Sequence, residues 1–300
     1  MGAHAVSSSP ARRRRGAGAI FIAPAVAYFA VFMLLPILAV IAFAFTDWSG
    51  FDLGEMQWVG TANFEQAKDD EFFWPAFLHT LAFVGFTTVA LNVIGLALAL
   101  LIHTRVRGHE LLRIAILLPL ALSPVVTAVL WNSLLGPYGY VNTAILGPLG
   151  LADTPVDFLG QPRNAFATVL GAAIWQYSAF NVLLYYAGLQ TLPKEHLEAA
   201  SIDGARAWSR FRYVTLPYLR PVMAVVVVLN LIGGWKVFDL ILVLTRGGPD
   251  RATEVLSTYL YQQAFEFTSV GYASAIAVVI IVLATVSALL RTRISGDLVT

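Results

Sequence analysis

The chain has 300 residues, 58% of them apolar and only 12% charged, with a mean hydropathy of +0.73. Soluble domains are roughly a quarter charged, so an ordinary soluble globular protein is excluded. With no cysteine, disulfide frameworks, thiolate metal centres and thiol nucleophiles are excluded too, and the net charge of +1 conceals a lopsided distribution along the chain.

Residues 1–16 form a small, polar, basic tail that contains Arg12, Arg13, Arg14 and Arg15. Beside an apolar stretch, this run reads as a cytoplasmic membrane anchor, and no nucleic-acid binding is expected of it. The apolar run at 17–45 is far longer than the core of a cleaved signal peptide. It suffices for a membrane span, which needs about 20 residues. Pro24 and Pro36 are expected to kink it. Residues 46–76 hold Asp47, Asp52, Glu55, Glu65, Asp69, Asp70 and Glu71 among aromatic residues, a pattern that predicts a short folded external cap. Five further apolar runs follow, at 77–102, 114–135, 165–189, 222–244 and 273–290. None alternates with a period of two, as a membrane barrel requires. The expected architecture is therefore an all-α polytopic membrane protein with six transmembrane helices. Its core is at 77–290, a second tail lies at 291–300, and both termini are on one side.

Lysine and arginine in the loops decide which side that is. Fourteen of the 19 fall on the side of the termini: the four tail arginines, Arg105, Arg107, Arg113, Lys194, Arg206, Arg210, Arg212, Arg220, Arg291 and Arg293. The other side has Lys68, Arg163, Arg246 and Arg251. The termini and the 193–217 loop are thus expected in the cytoplasm.

That loop reads PKEHLEAASIDGARAWSRFRYVTLP. Pro193 suits a first helical position, and Glu195 and Glu198 suit the positive end of a short helix. Ala199 and Ala200 keep one side small enough for close approach by another surface. Gly204 permits a positive-φ exit. A second basic, aromatic helix is expected at about 206–214, with Pro217 marking entry to the next apolar run.

The spacing Glu198-Ala199-Ala200, Gly204, then Val214-Thr215-Leu216-Pro217 resembles the EAA loop of ABC importer permeases. Further segments are similar to the larger-type sugar permeases of the maltose and glycerol-phosphate uptake systems. They are Ala23-Pro24, Leu35-Pro36, Phe45-Thr46-Asp47, Val59-Gly60, Asn63-Phe64, the Thr245-Arg246-Gly247-Gly248-Pro249 run, Tyr259-Leu260-Tyr261 and Ala264-Phe265. The resemblance implies the type I importer permease fold in a bacterial or archaeal cell membrane. It also implies that Glu198, Ala199, Ala200, Asp203, Gly204, Leu216 and Pro217 belong to a coupling element that docks on an ATPase. The partners it implies are a second homologous permease, two cytosolic ATPase subunits, an extracytoplasmic solute-binding protein and a sugar.

No phosphate-cradling G-x-x-x-x-G-K-[ST] occurs, and no catalytic triad or carboxylate pair is present, so no enzymatic activity is expected of the chain itself. His4, His79, His103, His109 and His196 show no metal-ligand spacing, and no cofactor or metal is expected. Polar residues within spans face protein or a water-filled path, because lipid exposure is costly. The candidates are His79 and Asn92, then Gln176, Tyr177 and Asn181, then Asn230, Lys236 and Asp239. Rings with amides suit a neutral sugar, but each of these residues equally suits hydrogen bonding between helices. Lys236 and Asp239, three apart, are expected to pair along one helix surface, and Gly233-Gly234 lets that helix bend. The alternative reading is a stand-alone secondary carrier. It would rest on Asp239 as the single intramembrane acid and leave the 193–217 loop unexplained.

Overall fold

A computed structural model describes residues 21–104, 108–151 and 154–296. The tail at 1–16, Arg105, Arg107 and residues 297–300 lie outside the described residues. Helices dominate the described residues, and the β-pairing among them is an isolated bridge between Thr46 and Trp58.

Among the described residues, five helices are long and apolar enough to cross a membrane: α1 (Phe21–Phe43), α3 (Phe73–His103), α6 (Pro162–Gln190), α8 (Ala207–Trp235) and α11 (Val270–Gly296, apolar through Leu289). The short helix α2 (Ala62–Asp69) lies between α1 and α3. A sixth span exists as a bent pair, α4 (His109–Leu117, continued by a 3-10 turn to Ala121) and α5 (Pro124–Leu135), whose halves meet at 108°. The transmembrane helix expected at 114–135 is thus found broken in two. Leu122 and Ser123 are extended, with ψ of 140° and 154°. Pro124 forces this geometry on the residue before it and then suits the first turn of α5.

The second correction concerns 206–244. No separate helix ends at Val214, and no boundary falls at Pro217. The chain is helical without a break from Ala207 to Trp235. A π-helical turn over Phe211–Thr215 precedes Pro217, and such a wider turn tolerates the donor that proline lacks. The break comes instead at Lys236, well before Leu244, after which the short helix α9 (Asp239–Leu244) resumes. Helix α7 (Lys194–Ile202) occupies the loop between α6 and α8, and α10 (Leu256–Tyr261) lies between α9 and α11.

Small residues let the central helices approach, as is usual where lipid removes the hydrophobic drive between helices. A Cβ on Gly95 of α3 would stand 2.6 Å from the Asn181 Cβ of α6, and one on Gly234 of α8 would stand 3.1 Å from Val84. One core cluster joins α3 and α6 to α8 through Ala99, Val182, Tyr185, Leu219 and Val226. A second gathers Phe83, Ala173, Val237 and Ile241, and a third Phe73, Trp235, Tyr259 and Ile276.

The acidic segment after α1 is tied to the bundle. Asn63 of α2 donates to the carbonyls of Ala44 and Thr46 at 2.9 and 2.8 Å, capping the end of α1. Asp70 accepts hydroxyl hydrogen bonds from Tyr259 and Tyr272. Burial pushes the Asp70 carboxyl up, but these two bonds and the Phe72 and Phe73 amides outweigh it and hold it below the ordinary value. Arg251 lies 4.0 Å over the Phe72 ring and pairs with buried Glu254 at 2.8 Å. Burial raises the Glu254 carboxyl, with Arg251 opposing the shift.

Candidate functional site

The end of α8 creates the site. Gly233 and Gly234 weaken the helix, and the last turn closes with short-range bonds from Lys236 N to Gly233 O (3.2 Å) and Val237 N to Gly234 O (3.3 Å). Phe238 then takes φ −143° and ψ −67°. Val237 turns into a neighbouring core cluster, and the Ser257 hydroxyl donates to its freed carbonyl. Irregular backbone at membrane depth is tolerated where protein or a cavity surrounds it.

A cavity of about 400 Å³ opens beside this break, within the size range of small-molecule sites, roughly 300–1,000 Å³. All six candidates, Gln176, Tyr177, Asn181, Asn230, Lys236 and Asp239, line it. They come from α6, from α8 and the break that follows it, and from the start of α9, and α3 (Phe83, Thr87, Leu91) and the α4–α5 break (Leu120, Pro124) complete the wall.

Their states differ. Gln176 is committed to structure: its Nε2 donates to Pro119 O at 3.1 Å and Leu122 O at 2.9 Å, and its Oε1 accepts from Thr127. It thereby brings donors from α6 to backbone carbonyls at the break of the bent span. Asn181 is the opposite case. It is 1% exposed, yet neither its Nδ2 nor its Oδ1 has a hydrogen-bond partner. The Nδ2 of Asn230 is likewise buried and unpartnered. Buried polar groups are rarely left so, and here they border a cavity.

Lys236 and Asp239 form no ion pair, although both are exposed on the cavity; the expected pairing is overturned because its premise, one continuous helix, fails between them. His79 and Asn92 lie elsewhere. His79 Nδ1 meets the Glu254 carbonyl at 3.1 Å, and Asn92 accepts from the Tyr185 hydroxyl while donating to Thr88 O. The wall residues Phe83, Thr87, Phe180 and Phe238 escaped the sequence reading, since in an apolar run nothing separates a cavity wall from a lipid-facing residue. The break escaped it too, although Pro119 and Pro124, five apart in one run, carry a signal from which it could have been read.

The 193–217 segment is far less packed. No residue of α7 is buried. Pro193 caps the helix from outside with φ −61° and ψ 132°, so Lys194, not Pro193, is its first residue. Gly204 adopts φ +75°. Ala205 N donates to Ala200 O at 2.9 Å and Gly204 N to Ser201 O at 3.1 Å, the paired bonds of a Schellman end. Arg210 reaches back to Ser201 Oγ at 2.7 Å and braces the turn against α8. Glu198, Ala199 and Asp203 are exposed and Ala200 is half-buried, while Leu216 and Pro217, also half-buried, lie within the α8 helix. Ile202, Trp208 and Tyr213 stand 87%, 72% and 75% exposed around them. Such apolar exposure clustered on one short segment marks a surface built to be covered.

A multi-pass bundle with a polar-edged cavity at a broken helix defines a membrane transport component. The chain belongs to the family described as binding-protein-dependent transport system inner membrane component, whose profile matches residues 92–298. It is 34% identical to the trehalose/maltose transport system permease protein MalF of Thermococcus litoralis, over 89% of each chain. It is 32% identical to the lactose transport system permease protein LacF of Rhizobium radiobacter, covering 91% of this chain and 92% of that one. Among solved structures, a chain of a bacterial ABC transporter that imports the acidic polysaccharide alginate matches with a TM-score of 0.84 and 26% identity, over 96% of this chain and 98% of that chain. The protein is thus a permease subunit of an ABC importer, with the all-helical architecture of that class.

Proposed function

We propose that this permease forms the translocation path for a sugar or oligosaccharide and that the cavity beside Lys236 is its solute site. The carrying observation is the unpartnered pair Asn181 and Asn230 on that cavity. Amides supply both donors and acceptors, which sugar hydroxyls need, and the Tyr177 and Phe180 rings offer faces for the apolar sides of a pyranose. The similarity to permeases named for trehalose, maltose and lactose supports the class. Family membership also disfavours a stand-alone carrier.

The reading extends to partners. A second permease closes the path, two cytosolic ATPase subunits supply the hydrolysis, and the exposed α7 with Gly204 and Trp208 is the surface on which an ATPase docks. An external binding protein delivers the sugar, as in the alginate transporter solved with its pentasaccharide-bound periplasmic protein. Both termini and α7 face the cytoplasm, and the segment from 46 to 72 faces outward. Movement of α7 then biases the bundle between two states, which nucleotide shifts through its differential affinity for them.

The test is uptake by the assembled importer with Tyr177→Ala and Asn181→Ala combined. Sugar uptake is expected to fall away or change specificity while ATPase subunits remain bound. Unaltered uptake kinetics in this double variant would return both residues to a packing role.

A further inference from the structure

A second cavity of about 400 Å³ lies on the other side of the unwound segment, between the end of α8, α10 and α11. Lys236 and Phe238 line both cavities. Away from these shared walls the second cavity is apolar, with the rings of Trp235, Tyr261 and Phe265 set among Leu260, Ala277, Ile280 and Ile281. The Phe238 and Tyr261 rings are 5.5 Å apart, the Tyr261 and Phe265 rings 5.0 Å, and Phe265 is 71% exposed at the outer end. Three rings thus step outward from the solute cavity to the protein surface.

The occupant follows from the chemistry. The α11 residues on this wall, Ala277, Ile280 and Ile281, lie roughly 10–16 Å along the helix from Val270, a depth where lipid could fill an apolar groove. Lys236 argues against lipid. It is exposed, forms no ion pair among the described residues, and borders both cavities. A bare ammonium at such depth faces water or a polar ligand rather than acyl chains. An apolar cavity with rings in its wall and an ammonium at its inner edge suits a molecule that has hydroxyls on its edges and C–H groups on its faces.

We infer that this second cavity is an outer aromatic subsite for the further residues of an oligosaccharide whose first residues occupy the Asn181–Asn230 cavity. The inference rests on the sugar reading above and adds chain length to it. The rings of Phe238, Tyr261 and Phe265 stack successive sugar faces, and Lys236 hydrogen-bonds sugar oxygens where the two cavities meet.

The natural chain has no cysteine, so single thiols report cleanly. Phe265→Cys and, separately, Leu229→Cys, at a 41% exposed position on the inner cavity, are prepared in the assembled importer, with binding protein present, and labelled with a membrane-impermeant maleimide. Disaccharides and hexasaccharides of glucose, arabinose and uronate serve as probes. At least one sugar is expected to slow labelling in Leu229→Cys at both lengths, and its hexasaccharide alone to slow labelling in Phe265→Cys. In an otherwise unaltered importer, Tyr261→Ala should raise the hexasaccharide concentration for half-maximal uptake about fivefold, the scale of one lost ring contact, and leave the disaccharide unchanged. Protection in Leu229→Cys without any in Phe265→Cys overturns the outer subsite and leaves the inner one standing. A Phe265→Cys thiol that never labels is covered by a partner helix or lipid, and this also overturns it. No protection in either variant by any probe overturns the sugar reading and the subsite with it.

Discussion

Gln176→Leu tests whether the bent span is held by a side chain from α6. The substitution keeps the volume closely, so little cavity cost is expected. It removes two bonds to the carbonyls of Pro119 and Leu122 and one with Thr127. Interhelical hydrogen bonds in membranes contribute about 0.6 kcal/mol on average, so three give roughly 2 kcal/mol, and about 5 kcal/mol at the measured ceiling. The lower figure is favoured because Pro119 O also accepts from Leu122 N at 3.2 Å and is not orphaned. At about 2–4 °C per kcal/mol, the melting temperature of the purified permease should fall by roughly 4–8 °C. Thr127→Val, which removes only the hydroxyl bond, should lower it by about a third as much. Thermal unfolding in nanodiscs, read beside sugar uptake, gives both answers. A Gln176→Leu permease that melts with wild type would refute the structural role. If it also lost uptake, Gln176 would be a solute contact instead.

Gly204→Val places a β-branched residue at φ +75°, where nothing lies within 4 Å of its Cβ. The cost is therefore backbone strain of about 1–2 kcal/mol. Normal membrane abundance with weakened ATPase retention is expected, and retention equal to wild type on the purified complex would reduce α7 to a connector. The Asp70 carboxyl is held below its ordinary value, so its clamp on Tyr259 and Tyr272 contributes stability above the usual carboxylate range and loses it as pH falls through the lowered value. Melting curves of wild type should therefore drop more steeply than those of Asp70→Asn below about pH 4; parallel curves would contradict the clamp. Reporter fusions after residue 104 and near Arg210 should read cytoplasmic, and those near Asp69 and Asp250 external, and a reversal at any one would break the proposed topology.

The apolar runs set the helices, because at membrane depth a backbone must satisfy itself and helices do so locally. Composition alone thus sufficed for an all-helical multi-pass protein, and proline placement in 114–135 held the cue to a bent span. Chemistry was legible where polarity is expensive: Gln176, Tyr177, Asn181, Asn230, Lys236 and Asp239 stand out in spans, and the structure gathers them on one cavity. Their individual states were not legible. Gln176 is tied to a helix break that sequence spacing does not encode, while Asn181, five residues on, is left without a partner. The Lys236–Asp239 pairing failed because the stop at Trp235 depends on Gly234 meeting Val84 and on Val237 packing beside Phe83, contacts roughly 150 residues apart in the chain. Conversely, Pro217 looked like a boundary, yet the π turn at Phe211–Thr215 carries the helix through. Local propensity and solvent determined which segments are helical. Packing between distant segments decided where those helices break, and hence where the cavity lies.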